Sequence, residues 1–441
     1  MSHAYPRDLA SFVLKHWSRS EAQAAADGAA VAQETPLPPL NVLEEILSTS
    51  YQASLLVDEQ RPVTFRLIFC EPVALPSGDG PPQGLHRLLF DELQPFTPHD
   101  LRRLSPAATF DRSLIGICLD GEGELKIWGI AHSGVRWLRP LRGGRAPGRP
   151  LPPALVICTS GRGRLEVCRG SVAIAQINEG RLLSAATNVF DSHWLPAGFA
   201  QVRSELIALH SEARERAEEP WATLDGRTIQ SLGQNIVKRI IATIRTRHHG
   251  GMVIFVDPDR AQALTQKNPY LSFKYGFKPE EPQARFRTLL LKIMNALAAL
   301  NGGSERPVGW REYEQSNNPL LATLDEALFE TAHFVADLAA VDGAVVMTRR
   351  FELLGFGGFI ACDNVDVRVV ARALDLEGEQ VSFESTASVG TRHRSAYRLC
   401  HQLHDAMAIV VSQDGNVRFV RWNDGFVTCW SQQTLLELSE F

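Results

Sequence analysis

The chain has 441 residues, a formal net charge of −5 and 44% hydrophobic residues, enough for two or three domains that each bury a core. The acidic balance argues against a surface that coats nucleic acid. Its seven cysteines include no CxxC pair, which argues against a disulfide framework or a zinc site. We see no bilayer-spanning apolar run and no signal peptide, so we expect a cytoplasmic protein without a membrane segment.

Residues 1–37 are predicted to form a helical extension. A helix is expected over residues 9–17, followed by an alanine-rich stretch and a proline-rich breaker at residues 36–39. A second helix is expected to begin at Asn41, as its N-cap, and to run to about Ser48, with an apolar side. That side consists of Leu43, Ile46 and Leu47.

Residues 38–222 are predicted to form a β-rich α+β domain with a sensory or regulatory role. A half-buried strand is expected at residues 63–69, followed by a loop rich in proline and glycine. Two hairpins and one further strand follow, because β-prone runs flank glycine-containing turns. The hairpins pair residues 114–119 with 125–130 and residues 155–159 with 165–168, and the strand covers residues 171–177.

A basic, glycine-rich segment occupies residues 142–150. It can be interpreted as a phosphate-binding loop, because its arginines alternate with glycine and proline. We favour a flexible surface loop, since neither aromatic residues nor a strand–helix context flank the segment.

Residues 223–441 are predicted to form an α/β domain, after a charged helix at residues 201–219. An amphipathic helix over residues 229–244 stops at Gly250 and precedes a buried strand at residues 252–256. Residues 267–282 are predicted to be irregular, as a lid or an insertion. Later helices are expected at residues 286–300 and 320–341, a strand and turn at 351–361, and a hairpin pairing 417–422 with 426–430; residues 365–372 fit either a strand or a helix start.

A helix with one buried face is predicted after Gly390. Thr391 is its expected N-cap, and Arg392, His393 and Arg394 then lie in the first turn. Two guanidiniums beside the positive end of a helix destabilise it unless an anion binds there, and phosphate suits the arginine fork. The alternative is that the arginines are solvated and the histidine fills a gap. The buried face comprises Ala396, Leu399, Cys400, Leu403 and Ala406.

Two motifs together resemble those of the diadenylate cyclase domain, whose members condense two ATP molecules into cyclic di-AMP. DGA occupies residues 342–344 before an apolar strand, and GTRHR occupies residues 390–394 before a helix and a VVS strand. The resemblance covers residues 229–430 and implies a mixed central sheet flanked by helices. A β-rich region before such a domain is similar to the layout of the prokaryotic DACNV group, described as probable sensor domains.

The resemblance also implies roles for these residues. Asp342 would bind Mg²⁺ or Mn²⁺ and help to activate a 3′-hydroxyl group, and Arg392, His393 and Arg394 would act on the transferred phosphate. Two such domains would face each other in a homo-oligomer, each holding one ATP. The remaining residues are implied in nucleotide binding: Gly343, Ala344, Gly390, Thr391, Ser412 and Gln413.

Two departures from the family pattern leave alternatives open. Gln413 stands where the membrane-anchored branch has an acid, and we expect no DNA-binding tail like that of the DNA-scanning branch, since the chain ends just past the domain. One hypothesis is an active cyclase controlled by its N-terminal domain. A second is a sensor that binds ATP or a cyclic dinucleotide without turnover, and a third is an unrelated α/β scaffold carrying both motifs by accident.

Overall fold

The structure, a computed structural model, describes residues 3–26, 36–75, 78, 80–81, 84–135, 143–145, 151–170, 172–178, 180–184, 188–247, 249–278, 284–362, 365–413 and 415–432. The chain divides into two compact units. The first contains Met1–Leu141, Ala146–Ala185 and Thr434–Phe441, and the second contains Arg142–Arg145 and Ala186–Gln433. Both units contain large sheets flanked by helices, which confirms the predicted mixed α/β class.

The first unit is built on an eight-stranded sheet in the order β10-β9-β8-β7-β3-β5-β6-β4, in which the β3/β5 pair is parallel and the others are antiparallel. Its helices are α1 (Pro6–Ala26), α2 (Leu40–Leu55) and α3 (Pro98–Leu104). Its strands are β1 (Val57–Asp58), β2 (Arg61–Pro62), β3 (Phe65–Phe69), β4 (His86–Pro95), β5 (Ser113–Leu119), β6 (Leu125–His132), β7 (Leu155–Gly161), β8 (Arg164–Arg169), β9 (Val172–Asn178) and β10 (Arg181–Ser184).

Both predicted hairpins of the first unit are confirmed as β5/β6 and β7/β8. The expected N-terminal extension is instead part of the core, because Leu9, Ala10 and Val13 of α1 are fully buried. The predicted cap at Asn41 is wrong, since α2 begins at Leu40 after Pro39 and continues to Leu55. Neither α3 nor the edge strand β4 was predicted, and the apolar and polar residues of β4 do not alternate.

The second unit is built on a nine-stranded sheet in the order β12-β14-β13-β11-β17-β18-β19-β15-β16. Its strands are β11 (Gly251–Val256), β12 (Leu271–Gly276), β13 (Ala344–Thr348), β14 (Leu353–Ile360), β15 (Val369–Ala373), β16 (Val381–Ser385), β17 (Met407–Val411), β18 (Val417–Asn423) and β19 (Phe426–Gln432). Its helices are α4 (Trp194–Ala197), α5 (Ala200–Glu215), α6 (Gly226–Thr246), α7 (Ala261–Thr265), α8 (Arg285–Leu300), α9 (Trp310–Gln315), α10 (Pro319–Leu338) and α11 (Thr391–Gln402).

Helices cover both faces of this sheet. Val253 and Phe255 of β11 pack in one core cluster with α6, α8 and α10. Met252 and Ile254, which point to the opposite face, pack in a second cluster with α11. The second unit begins at Ala186, earlier than residue 223, because Val202 and Leu206 of α5 belong to the first of these clusters.

Two interpretations of irregular segments need correction. The predicted irregular segment at residues 267–282 contains β12, an edge strand that pairs with β14. For residues 365–372, where a strand and a helix start were both open, the strand is confirmed by β15 (Val369–Ala373). Within the basic segment at residues 142–150, residues 143–145 are described, and Arg145 is only 4% exposed. The surface-loop interpretation is therefore wrong for Arg145, because Asp325 supplies a buried carboxylate partner for it.

Candidate functional site

The structure brings the DGA and VVS motifs to one edge of the second sheet. Strand β11 runs parallel to β13 and antiparallel to β17, and Val253 is paired with both Val345 and Ile409. Continued beyond the strand ends, this register places Asp342, Gly250 and Ser412 in one row. Adjacent strands lie roughly 4.8 Å apart, so the Cα atoms of Asp342 and Ser412 are on the order of 10 Å apart.

Helix α11 carries the GTRHR motif at its N-terminus. Arg392, His393 and Arg394 lie in its first turn, as predicted, and the predicted apolar face is buried. The prediction of Thr391 as N-cap is wrong, because Gly390 adopts the extended cap conformation and Thr391 is the first helical residue. No side chain caps this end of the helix.

Gly250 lies where the N-terminus of α11, which carries the GTRHR motif, meets the end of β17, which carries the VVS motif. We call this place the Gly250 corner. A Cβ atom built on this glycine would lie 2.6 Å from Arg392 Nη1, 2.7 Å from the Val411 carbonyl oxygen and 3.1 Å from the Gln413 backbone nitrogen. Its φ of +64° is also a conformation that favours glycine. The Arg392 guanidinium therefore reaches from α11 to the strand edge and lies beside Gln413.

Neither Arg392 nor Arg394 has an ion-pair partner in the part of the chain that the structure describes. Arg392 is half-buried and Arg394 is exposed. Two unpaired guanidiniums at the positive end of a helix attract an anion, and arginine can bind phosphate oxygens in pairs. The anion site at this helix end stays a prediction.

His393 lies beside two residues that the sequence reasoning missed as site candidates, Tyr397 and Arg418. The His393 and Tyr397 ring centroids are 6.3 Å apart, and Arg418 Nη1 donates a hydrogen bond of 3.3 Å to the Tyr397 hydroxyl. Burial, together with the nearby Arg418 and Arg392, lowers the pKa of His393 to about 4. His393 Nε2 is buried without a hydrogen-bond partner among the described residues. The imidazole is therefore neutral at pH 7.

The depressed pKa of His393 predicts a pH-dependent stability. The unfolded chain binds a proton at the ordinary pKa of 6.5, but the folded unit does so only near 4, so the free energy of unfolding falls as pH drops through this window. We expect His393→Gln to lose less stability than the wild type between pH 7 and pH 4.5 in urea titrations. His333→Gln, at an exposed position of α10, is the control, and an equal loss in all three proteins would contradict the prediction.

Structural reasons account for several of the other predicted site residues. Gly343 has a φ of +117°, and a Cβ atom there would lie 2.6 Å from the Gly357 carbonyl carbon, so strand β14 already requires a glycine. Ala344 is buried in the α11-side core. The Ser412 hydroxyl accepts a hydrogen bond of 3.1 Å from the Asn416 backbone and so fixes the β17–β18 turn. Asp342, in contrast, is exposed.

The described residues offer limited means of holding a metal ion. They contain no group of three or more histidine, cysteine, aspartate or glutamate side chains arranged for metal binding. Asp342 therefore fits Mg²⁺ or Mn²⁺ only as one carboxylate ligand beside phosphate oxygens, which is a common arrangement for Mg²⁺. In the same described part of the chain, no helix has the length and hydropathy needed to cross a membrane.

Comparison with known proteins gives one match to a family model. Residues 32–132 match the family described as "Probable sensor domain DACNV", and they lie in the first unit. This supports the predicted similarity to the DACNV group and indicates a probable sensor domain. The match does not reach the residues that carry the DGA and GTRHR motifs, so the relation to diadenylate cyclases stays a prediction.

No curated protein matches the chain. Among solved structures, the hypothetical membrane spanning protein from Bacillus cereus is 14% identical, over 54% of this chain and 91% of that chain, with a TM-score of 0.22. A similarity of this size supports no conclusion about fold or function.

Proposed function

We propose that the protein is a sensor whose second unit binds a nucleotide through its phosphates at the Gly250 corner. The observation that carries this proposal is that Arg392 Nη1 and the Gln413 backbone nitrogen both lie within 3.1 Å of one point, the position that a Cβ atom would take on Gly250. Neither group has an internal acceptor among the described residues, and Arg394 adds a second unpaired cation in the same helical turn. The motif resemblance suggests ATP or a cyclic dinucleotide as the ligand, which fits the expected cytoplasmic location.

A second candidate function is the condensation of two ATP molecules into cyclic di-AMP, and the position of Asp342 favours it. This exposed carboxylate lies at the same sheet edge as the Gly250 corner, where it can accept a proton from a 3′-hydroxyl group. A bound Mg²⁺ or Mn²⁺ would neutralise phosphate charge there. Each 3′-oxygen would attack the α-phosphorus of the other ATP and release pyrophosphate, which requires two copies of the unit to face each other.

The experiment is incubation of the purified full-length chain with ATP and either Mn²⁺ or Mg²⁺, followed by mass spectrometry of the nucleotides and a binding titration. Bound nucleotide without turnover would support the sensor. Formation of cyclic di-AMP and pyrophosphate, reduced about 100-fold in Asp342→Asn, would support the cyclase, because general-base catalysis contributes about this much. Absence of both binding and turnover would overturn both proposals.

Arginine variants test the proposed phosphate binding at the Gly250 corner. We expect Arg392→Ala and Arg394→Ala each to weaken nucleotide binding about 10-fold or more, since hydrogen bonds to charged groups contribute about 1.5–3 kcal/mol. Arg227→Ala is the matched control, because Arg227 is an exposed arginine in the first turn of α6 in the same unit. An equal effect of all three substitutions would mean that only general charge attraction is involved.

A further inference from the structure

An apolar cavity lies between α5, α6 and α8 in the second unit. It contains about 480 Å³ of atom-free space, part of it open to solvent, and its walls include Phe199, Leu206, Val237 and Leu290. These residues pack on the face of the sheet opposite α11, so the cavity shares no residue with the Gly250 corner. Its walls are mostly apolar, as are those of pockets that bind small molecules.

Gly233 keeps this space open. It lies in the middle of α6, where glycine is about 1 kcal/mol less favourable than alanine. Its φ is not positive, and a Cβ atom built on it would have one neighbour within 4 Å, Phe351 Cζ at 4.0 Å. Neither backbone conformation nor close packing therefore requires a glycine, and its effect is to leave the cavity unfilled.

The walls of the cavity are held in place by aromatic packing. The Phe351 ring stacks on Phe199, with 5.4 Å between centroids, and meets Phe255 and Phe286 edge-on. Phe351 has a φ of +60°, an unfavourable conformation for a bulky residue that the surrounding rings must stabilise. Two walls of the cavity, Phe199 and Phe351, are thus fixed by packing.

A few polar groups accompany the apolar walls. Arg203 donates one hydrogen bond, of 3.2 Å, to the Pro196 carbonyl oxygen, and its other N–H groups have no acceptor among the described residues. The Gln230 amide likewise has no partner in that part of the chain. An apolar space beside a half-buried, incompletely paired guanidinium matches a ligand with an apolar body and one anionic group.

We propose that this cavity is a second ligand site, which binds a small apolar molecule carrying one anionic group, such as a medium-chain carboxylate or an aromatic acid. The anionic group binds to Arg203, and the apolar part fills the space beside Gly233. This site does not depend on nucleotide binding, so a failure of either proposal leaves the other intact.

The test uses the full-length chain and the fluorescent probe 8-anilinonaphthalene-1-sulfonate, with decanoate as competitor. We expect saturable binding of one probe molecule, displaced by decanoate. Gly233→Leu should weaken binding at least 10-fold, because the new side chain occupies the cavity. Arg203→Gln should weaken binding of decanoate but not of the neutral 1-decanol.

The matched control is Gly226→Leu, the same change at an exposed position of α6 with no heavy atom within 4 Å of the added Cβ. This variant should bind the probe as the wild type does. Circular dichroism checks that each variant is folded, and Gly233→Val replaces Gly233→Leu if the larger side chain prevents folding. Unchanged affinity in a folded Gly233 variant, or no saturable binding to the wild type, would overturn the proposal.

Discussion

Replacement of Asp325 by alanine is expected to lower the free energy of unfolding of the second unit by about 3–5 kcal/mol, because it leaves two buried arginines without a carboxylate partner. Asp325 is 5% exposed. It forms ion pairs with Arg239 of α6 and with Arg145, whose side chains are 1% and 4% exposed. The Tyr313 hydroxyl donates a further hydrogen bond of 3.2 Å to the same carboxylate.

Hydrogen exchange of peptides from α6 and α10 in the full-length chain measures this loss locally. The matched control is Glu205→Ala, which likewise removes a carboxylate partner of an arginine. Arg350 binds Glu205 through two guanidinium nitrogens, and this pair is partly exposed. Glu205→Ala should lower the free energy of unfolding by about 1 kcal/mol or less, as expected for an exposed ion pair. Similar losses in both variants would mean that burial of the Asp325 network contributes little.

The buried ion network shows one limit of the sequence analysis. Apolar periodicity located most long helices and both predicted hairpins of the first unit, since burial of one face gives a helix and a strand each its own repeat of apolar residues. It gave no reason to connect Arg145 with Asp325, because partners 180 residues apart in the chain leave no local signal. The edge strand β4 was missed for a related reason, since it is poorly buried and its apolar and polar residues do not alternate. The edge strands β12 (LSFKYG) and β16 (VSFES) were missed although apolar and polar residues alternate in both, a pattern typical of a half-buried strand.

The candidate site was predictable to a similar extent. The GTRHR motif predicted Arg392 and Arg394 as phosphate-binding residues. The pattern of apolar strands predicted the end of the sheet at which Asp342 and Ser412 lie. The contact of Gly250 with Arg392 was not predictable, since Gly250 and Gly251 indicated only the end of a helix. Arg418 was also missed, although its alternation with Val417 and Phe419 places it on the α11 face of β18.

Gly343 separates a structural from a ligand-binding role within the DGA motif. We expect Gly343→Ala to lower the free energy of unfolding by about 3 kcal/mol without any nucleotide present. The added Cβ would lie within 3.0 Å of three backbone atoms of Gly357 and Gly358, and its φ of +117° is strained for alanine. Urea titration of the wild type and the variant measures this difference.

Gly390→Ala is the matched control in the other motif, because a Cβ there meets no heavy atom within 4 Å and the φ is −62°. Its stability loss should stay near 1 kcal/mol or less, the cost of alanine at a helix N-cap. If a nucleotide approaches the α11 N-terminus, the same substitution should still weaken nucleotide binding. A Gly343→Ala protein as stable as the wild type would contradict the explanation by packing against β14. It would favour the role that the motif resemblance implies, in which Gly343 lets a nucleotide approach the backbone closely.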